Sequence, residues 1–518
     1  MKSAFLKYYP FIALLLLCVF YLFKAIDFPA HDFANYYFGG KFLAEGNFNS
    51  NIYFPYEFNK AIFDSGHQNI FVSYAPNSPF LAFIFLLFAS FSLAVAKIIF
   101  NSLSVVLFVF SIYRLFNHYK IDWRFALLIP VLFLVPIKNN LLFGQVYFLL
   151  FFLLSEGWLA YEKGQWKLMS LFWSLAILLK VFPVLLVVLF VFRKQWKPLS
   201  NLVAFCLLLF GFSVLFTGFD IWIFYLKEVL PKASNGEIAT AFVDNYQSVF
   251  MFLKRLFIYE NVENPHPFFH ADGWFIALIF AFKIGILTLG YFVSKRNSNV
   301  LFVFSYWILA MMLLSPYGST YTFILLLFPF LALLKSTISN VKKGNFCLIL
   351  ILINNFPLSL FINNEYPFSY VRLFLLLVFS IVFVVAMFQK KALLKAIILG
   401  CLAFVFGTFF TPPVPLRSES FLTNRSPILL YDYEIKGNQL TYFYWNEKGK
   451  NKGNGKLEVE SFISLLIKNN QVFYNNNQLT FDKSNKLKPI LINGKTVIYL
   501  SDYGKGIGLY SLRKIGIH

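Results

Sequence analysis

Charge is what this chain lacks. Only 13% of its 518 residues are Asp, Glu, Lys or Arg, against about 25% in an ordinary soluble domain. With 59% hydrophobic residues beside that scarcity, a water-soluble enzyme and a disordered polymer are both excluded. Cysteine is nearly absent as well: Cys18, Cys206, Cys347 and Cys401 all lie inside apolar runs without metal or disulfide spacing, so no redox chemistry is implied. The histidines show no HExxH-type spacing and the loops no DxD pair, so neither a cofactor nor an obligatory metal is expected.

What is present is a long succession of apolar runs. A membrane span needs roughly 20 mainly apolar residues, which makes room here for about 11–13 membrane helices. The formal net charge of +21 matters less than where the charges sit. Eighteen of the 45 basic residues fall in seven short clusters, among them Arg114, Lys120 and Arg124, Arg193, Lys194 and Lys197, and Lys335, Lys342 and Lys343. By the positive-inside rule these face the cytoplasm. Of the 24 acidic residues, 21 sit away from those clusters, in 27–78, 218–272, 363–370 and the tail, which are therefore read as outer. The expectation is a multi-pass protein of the cell (inner) membrane with a cytoplasmic N-terminus, surrounded by membrane lipids and without a nucleic-acid partner.

Three local readings refine this. Residues 78–92 are expected as an interfacial or re-entrant helix before a span at 94–116. The run 168–192 is expected to break at Lys180-Val181-Phe182-Pro183, because a proline inside a helix removes a hydrogen bond and kinks it. After Thr411-Pro412-Pro413 the apolar runs shorten to period-two stretches separated by Asn-Gly and Lys-Gly pairs. That predicts a small extracytoplasmic β-rich domain over 412–518, with one helix near 459–468, following an all-α polytopic body over 1–411.

Chemistry has few places to sit. Asp32 lies a few residues beyond the first span amid aromatics, where a low dielectric suits a general base; a solvated loop acid is the plainer reading. Lys180 places an ammonium in an apolar run, a position that usually faces an interior site.

The residues around these two form an ordered set: Asp32-Phe33-Ala34-Asn35-Tyr36-Tyr37, Tyr74-Ala75-Pro76-Asn77-Ser78-Pro79-Phe80, Gly144-Gln145-Val146-Tyr147, Lys180-Val181-Phe182-Pro183, Asn245-Tyr246-Gln247-Ser248 with Arg255, and Leu314-Ser315-Pro316. In that order, over about residues 20–335, the chain resembles glycosyltransferase family 87. The resemblance implies a GT-C fold and transfer of a hexose, mannose in that family, from a polyprenyl-phosphate sugar to a glycolipid or glycan acceptor of the cell envelope. It implies Asp32 as catalytic base, Lys180 and Arg255 at the donor phosphate, and Tyr36, Gln145, Asn245 and Tyr321 at the substrate, with no metal. Two positions depart from the pattern: Tyr147 stands where the family usually has Asn, and Tyr321 where it usually has His. A transporter of lipid-linked saccharides is the alternative, since a lysine at a broken helix can also line a translocation path.

Overall fold

The computed structural model describes residues 2–238, 242, 246–260, 264–296, 299–357, 366–387, 390–409, 419–420, 429–446 and 448–517. Long apolar runs become helices, because in lipid every backbone polar group has to be satisfied within its own segment. Five described helices are long and apolar enough to cross a membrane: Tyr9–Ile26, Leu93–Tyr119, Trp196–Thr217, Asp272–Lys295 and Phe368–Ala386. A sixth arises if Trp123–Leu132 and Leu134–Phe143, bent by 66° at Phe133, form one span. The remaining apolar helices, such as Trp166–Leu179 and Val300–Leu314, have 10–17 residues. At about 1.5 Å per residue they fall short of a hydrocarbon core about 30 Å thick. The chain is thus a mainly helical, multi-pass membrane protein.

Burial divides the helices by role. Residues 301–313 of α16 (Val300–Leu314) are all buried, as are most of α8 (Tyr147–Glu162). Between them Trp158 stacks on Phe304 at 4.2 Å, while its indole N–H donates to the Tyr119 hydroxyl at 2.7 Å. Such close packing is what holds helices together where the surrounding lipid is as apolar as they are. By contrast α11 (Trp196–Thr217) leaves Leu207, Leu208 and Leu215 exposed, an apolar surface suited to lipid rather than to water.

The local breaks follow the sequence reading. Pro79–Phe85 (α4) and the short turn Leu86–Phe88 precede the long α5 (Leu93–Tyr119). α9 (Trp166–Leu179) ends at Lys180, whose backbone is extended, and a 3-10 turn at Phe182–Leu185 leads into α10 (Leu186–Arg193).

The tail is a three-layer β structure. Its central sheet has the order β1 (Glu419–Ser420), β11 (Ser511–Gly516), β10 (Thr496–Ser501), β9 (Lys486–Ile492), β5 (Phe462–Ser464); it is flanked by the sheets β2 (Leu429–Lys436), β3 (Gln439–Asn446), β4 (Gly449–Lys456) and β6 (Leu466–Lys468), β7 (Gln471–Tyr474), β8 (Asn477–Gln478), with every described pairing antiparallel. β10 (Thr496–Ser501) is buried on both faces: Ile498 and Leu500 meet Leu430, Tyr433 and Leu440, while Val497 and Tyr499 meet Val472. The helix expected near 459–468 is instead two short strands, β5 (Phe462–Ser464) and β6 (Leu466–Lys468). A short apolar run cannot be assigned by periodicity alone, and here pairing of Phe462–Ser464 with Ile490–Ile492 decides it. The expected boundary at 411/412 lies outside the described residues.

The tail rests on two segments of the helical body, around the short helices Pro55–Asp64 and Leu230–Ser234. Tyr431 stacks on Tyr56 at 4.1 Å, and Trp445 meets Phe63 edge to face. The loop after β10 carries Gly506 and Gly508, and a Cβ there would lie 2.2 Å from the Ile238 carbonyl oxygen and 2.8 Å from the Phe54 ring. Asp502, 0% exposed, pairs with Lys232 at 2.9 Å.

Candidate active site

The first loop turns back into the body through α2 (His31–Ala44), with Asp32 in its first turn, where the positive end of a helix favours an acid. The approach to α2 is held by Lys97 of α5. Its ammonium donates to the carbonyls of Phe28 and Pro29 at 3.0 and 3.2 Å and lies over the Phe28 ring. Phe33, fully buried, then packs against Phe85 and Phe100.

Gly144 brings the second element in. It ends α7 (Leu134–Phe143) in the left-handed conformation, φ +65°, and a Cβ on it would fall 2.6 Å from the Cβ of Phe33. Only glycine satisfies both demands without strain. The next residue, Gln145, is thereby set against α2. Its amide nitrogen donates to the Asp32 carboxylate and its oxygen accepts from the Tyr36 hydroxyl at 2.8 Å. Tyr36 stands one helical turn beyond Asp32, on the same face. Burial, and after it the Asp32 charge, hold the Tyr36 phenol well above its ordinary pKa, so it stays a proton donor.

The broken helix supplies the cation. Released by the end of α9, the Lys180 ammonium donates to Asn77 Oδ1 at 3.0 Å and lies 5.6 Å over the Tyr36 ring. The Asp32 carboxylate acts on it electrostatically. Ser78 fixes the geometry from the other side, its hydroxyl donating to the Leu178 carbonyl at 2.6 Å. Asp32 and Lys180 are both half-buried, so each keeps surface that a substrate can reach.

Tyrosines close the cluster. Tyr147 and Tyr321, the two departures from the resembled pattern, face each other at 5.2 Å, and Asn140 donates to the Tyr321 carbonyl at 3.0 Å. Tyr246 joins them within electrostatic reach of Asp32 and Tyr147. Its neighbourhood is pinned where Ser248 donates to the Pro316 carbonyl at 2.7 Å and where a Cβ on Gly318 would meet the Gln247 backbone at 2.3 Å. The segments 246–248 and 315–318, 67 or more residues apart in sequence, are therefore one packed unit.

The structure thus gathers Asp32, Tyr36, Gln145, Lys180 and Tyr321. Arg255 is placed on α14 (Val249–Phe257), where its carbonyl accepts from Asn264 at 2.9 Å and its charge acts on Tyr366. Asn245 lies outside the described residues. Asn77, Tyr147 and Tyr246 are in the cluster although no role had been given to them; all three stand inside the motifs quoted above, which was the available signal. Among the described residues no three His, Cys, Asp or Glu side chains come together as metal ligands would. A separate cavity of about 590 Å³ opens between 48–50 and 217–228, lined by Phe48, Thr217, Asp220 and Lys227 among others.

Set beside known proteins, the chain matches no curated sequence. The model of glycosyltransferase family 87 matches residues 76–316. That stretch contains Asn77, Gln145, Lys180 and Tyr246, while Asp32 and Tyr36 precede it and Tyr321 follows it. Over that stretch, a little under half of its length, the chain is similar to glycosyltransferase family 87.

Proposed function

We propose that the protein is a glycosyltransferase that uses Asp32 as its base and Lys180 as its phosphate cation, moving a hexose from a polyprenyl-phosphate donor to a glycolipid or glycan acceptor at the outer face of the membrane. The observation that supports this most is that a half-buried carboxylate and a half-buried ammonium meet around Tyr36: Gln145 bridges Asp32 and the Tyr36 hydroxyl, and Lys180 lies 5.6 Å over the Tyr36 ring. A sugar joined through a phosphate already carries a good leaving group. What remains is a base for the acceptor hydroxyl and a positive charge for the departing phosphate.

In this reading Asp32 removes the acceptor proton, and the acceptor oxygen forms a bond to the anomeric carbon. The bond from that carbon to the phosphate oxygen breaks, its electron pair leaves on polyprenyl phosphate, and Lys180 balances the new charge. A single displacement inverts the anomeric centre. Gln145, donating to Asp32 while accepting from Tyr36, orients the carboxylate. Mannose as the hexose, the polyprenyl carrier and the GT-C arrangement of the helices rest on the resemblance. The acidic loops and the tail are read as extracytoplasmic from the charge distribution.

Membranes containing the protein, incubated with radiolabelled polyprenyl-phosphate hexoses, are expected to pass label to a lipid or glycan resolved by mass spectrometry. Undiminished transfer by Asp32→Asn would refute the proposed base. Movement of lipid-linked sugar across vesicles without a new glycosidic bond would favour transport instead.

A further inference from the structure

A ring pair in the Asp32 cluster, Tyr147 and Phe182, has no part in the proton and phosphate steps, yet its placement is specific. Tyr147 follows Gln145 by two residues and Phe182 follows Lys180 by two. Their rings lie nearly parallel, 16° apart with centroids at 6.4 Å, and Tyr321 extends the same face at 5.2 Å from Tyr147. Phe182, Tyr147 and Tyr321 therefore form a continuous aromatic shelf. At one end Phe182 stands two residues beyond Lys180, and at the other Tyr321 lies within electrostatic reach of the carboxylate. Backbone and side-chain bonds hold the shelf still: Asn140 grips the Tyr321 carbonyl, and the Tyr147 hydroxyl is bonded to Thr322. Tyr147 is 9% exposed, while Tyr321 and Phe182 are half-buried and offer surface.

Resting on the proposed function above, a donor spans this shelf. With its phosphate at Lys180 and its anomeric carbon approached from Asp32, the sugar between them has the three rings beneath it. A pyranose carries a patch of C–H bonds on one face, and an aromatic face with its negative quadrupole attracts such partly positive hydrogens. We propose that Tyr147 and Tyr321 are specificity-determining residues that bind the transferred hexopyranose through its C–H face, using their rings rather than their hydroxyls.

Initial rates of full-length protein in lipid, measured against polyprenyl-phosphate hexose concentration, test this through Tyr147→Phe, Tyr147→Leu, Tyr321→Phe and Tyr321→Leu. The Phe variants are expected to keep the donor KM within about threefold, while each Leu variant raises it about tenfold with kcat and the acceptor KM little changed, the pattern of lost uniform binding. Phe variants impaired as much as Leu variants, or Leu variants with an unchanged donor KM, would overturn the shelf. Should Tyr147→Leu fail to fold, half-buried Tyr321→Leu decides alone. Asp32→Asn runs alongside. Wild-type levels of transfer by that variant would defeat the base assignment and leave the shelf standing on its KM effect, whereas no transfer by the wild type would defeat both.

Discussion

Two aspartates show how this chain separates chemistry from architecture. Asp502 is wholly enclosed: Lys232 pairs with it at 2.9 Å, and it accepts from the Asn485 backbone and side chain at 2.8 Å and from the Gly508 N–H at 2.9 Å. Its neighbours use its oxygens up, and its place between tail and body makes it a fastening. Asp32 is only half-buried, held by an amide and facing an ammonium at a helix break. The same functional group is structural where donors converge on it from the protein and reactive where it stays open to an incoming one.

That contrast can be broken at either end. The largest effect is expected on Asp32: replacement by Asn leaves the melting temperature unchanged and lowers kcat about 10³-fold, within the range for a lost general base. Asp502→Ala should do the reverse. Stranding the Lys232 ammonium costs about 3–5 kcal/mol of stability, read by thermal unfolding in detergent, whereas replacing both partners with apolar residues of similar volume costs much less. Gln145→Ala comes next. Losing one hydrogen bond to a charged group, about 1.5–3 kcal/mol, should reduce kcat/KM by roughly ten- to a hundredfold with little change in folding.

The smallest effect concerns Glu237, beside the Lys232–Asp502 pair. Burial raises its pKa, Lys254 and Lys232 pull it down, and Asp502 adds to the rise. A raised native pKa means that the fold favours the protonated acid. Its contribution is therefore present below the ordinary value and fades as pH climbs through the raised one. Melting temperature should fall slightly as pH increases from about 4, and Glu237→Gln should flatten that slope.

Much of this was legible in the residues. The break at Lys180–Pro183 follows from a ring that cannot continue a helix, and the β character of the tail from its alternation. The convergence of Asp32, Gln145 and Lys180 was suggested by motif order, but no spacing rule brings positions 113 and 148 residues apart into contact. That convergence depends on Gly144 against Phe33 and on Ser78 against Leu178, contacts that exist only after folding. Tyr246 stands in one of the ordered motifs, but its place beside Tyr147 likewise depends on a contact made on folding, that of Ser248 with Pro316. The stretch near 459–468 differs for another reason: five apolar residues interrupted by Ser464 suit an edge strand and a short helix equally, and pairing with β9 settles which forms.

The fastening at Asp502 bears on how the protein is made. Ile507 belongs to the main apolar core of the membrane body, and Asp502 follows its partner Lys232 by 270 residues. While that stretch is being synthesised Tyr56, Phe63 and Lys232 wait without their cover, so a chain interrupted before Asp502 leaves these surfaces of the body open to quality-control proteases.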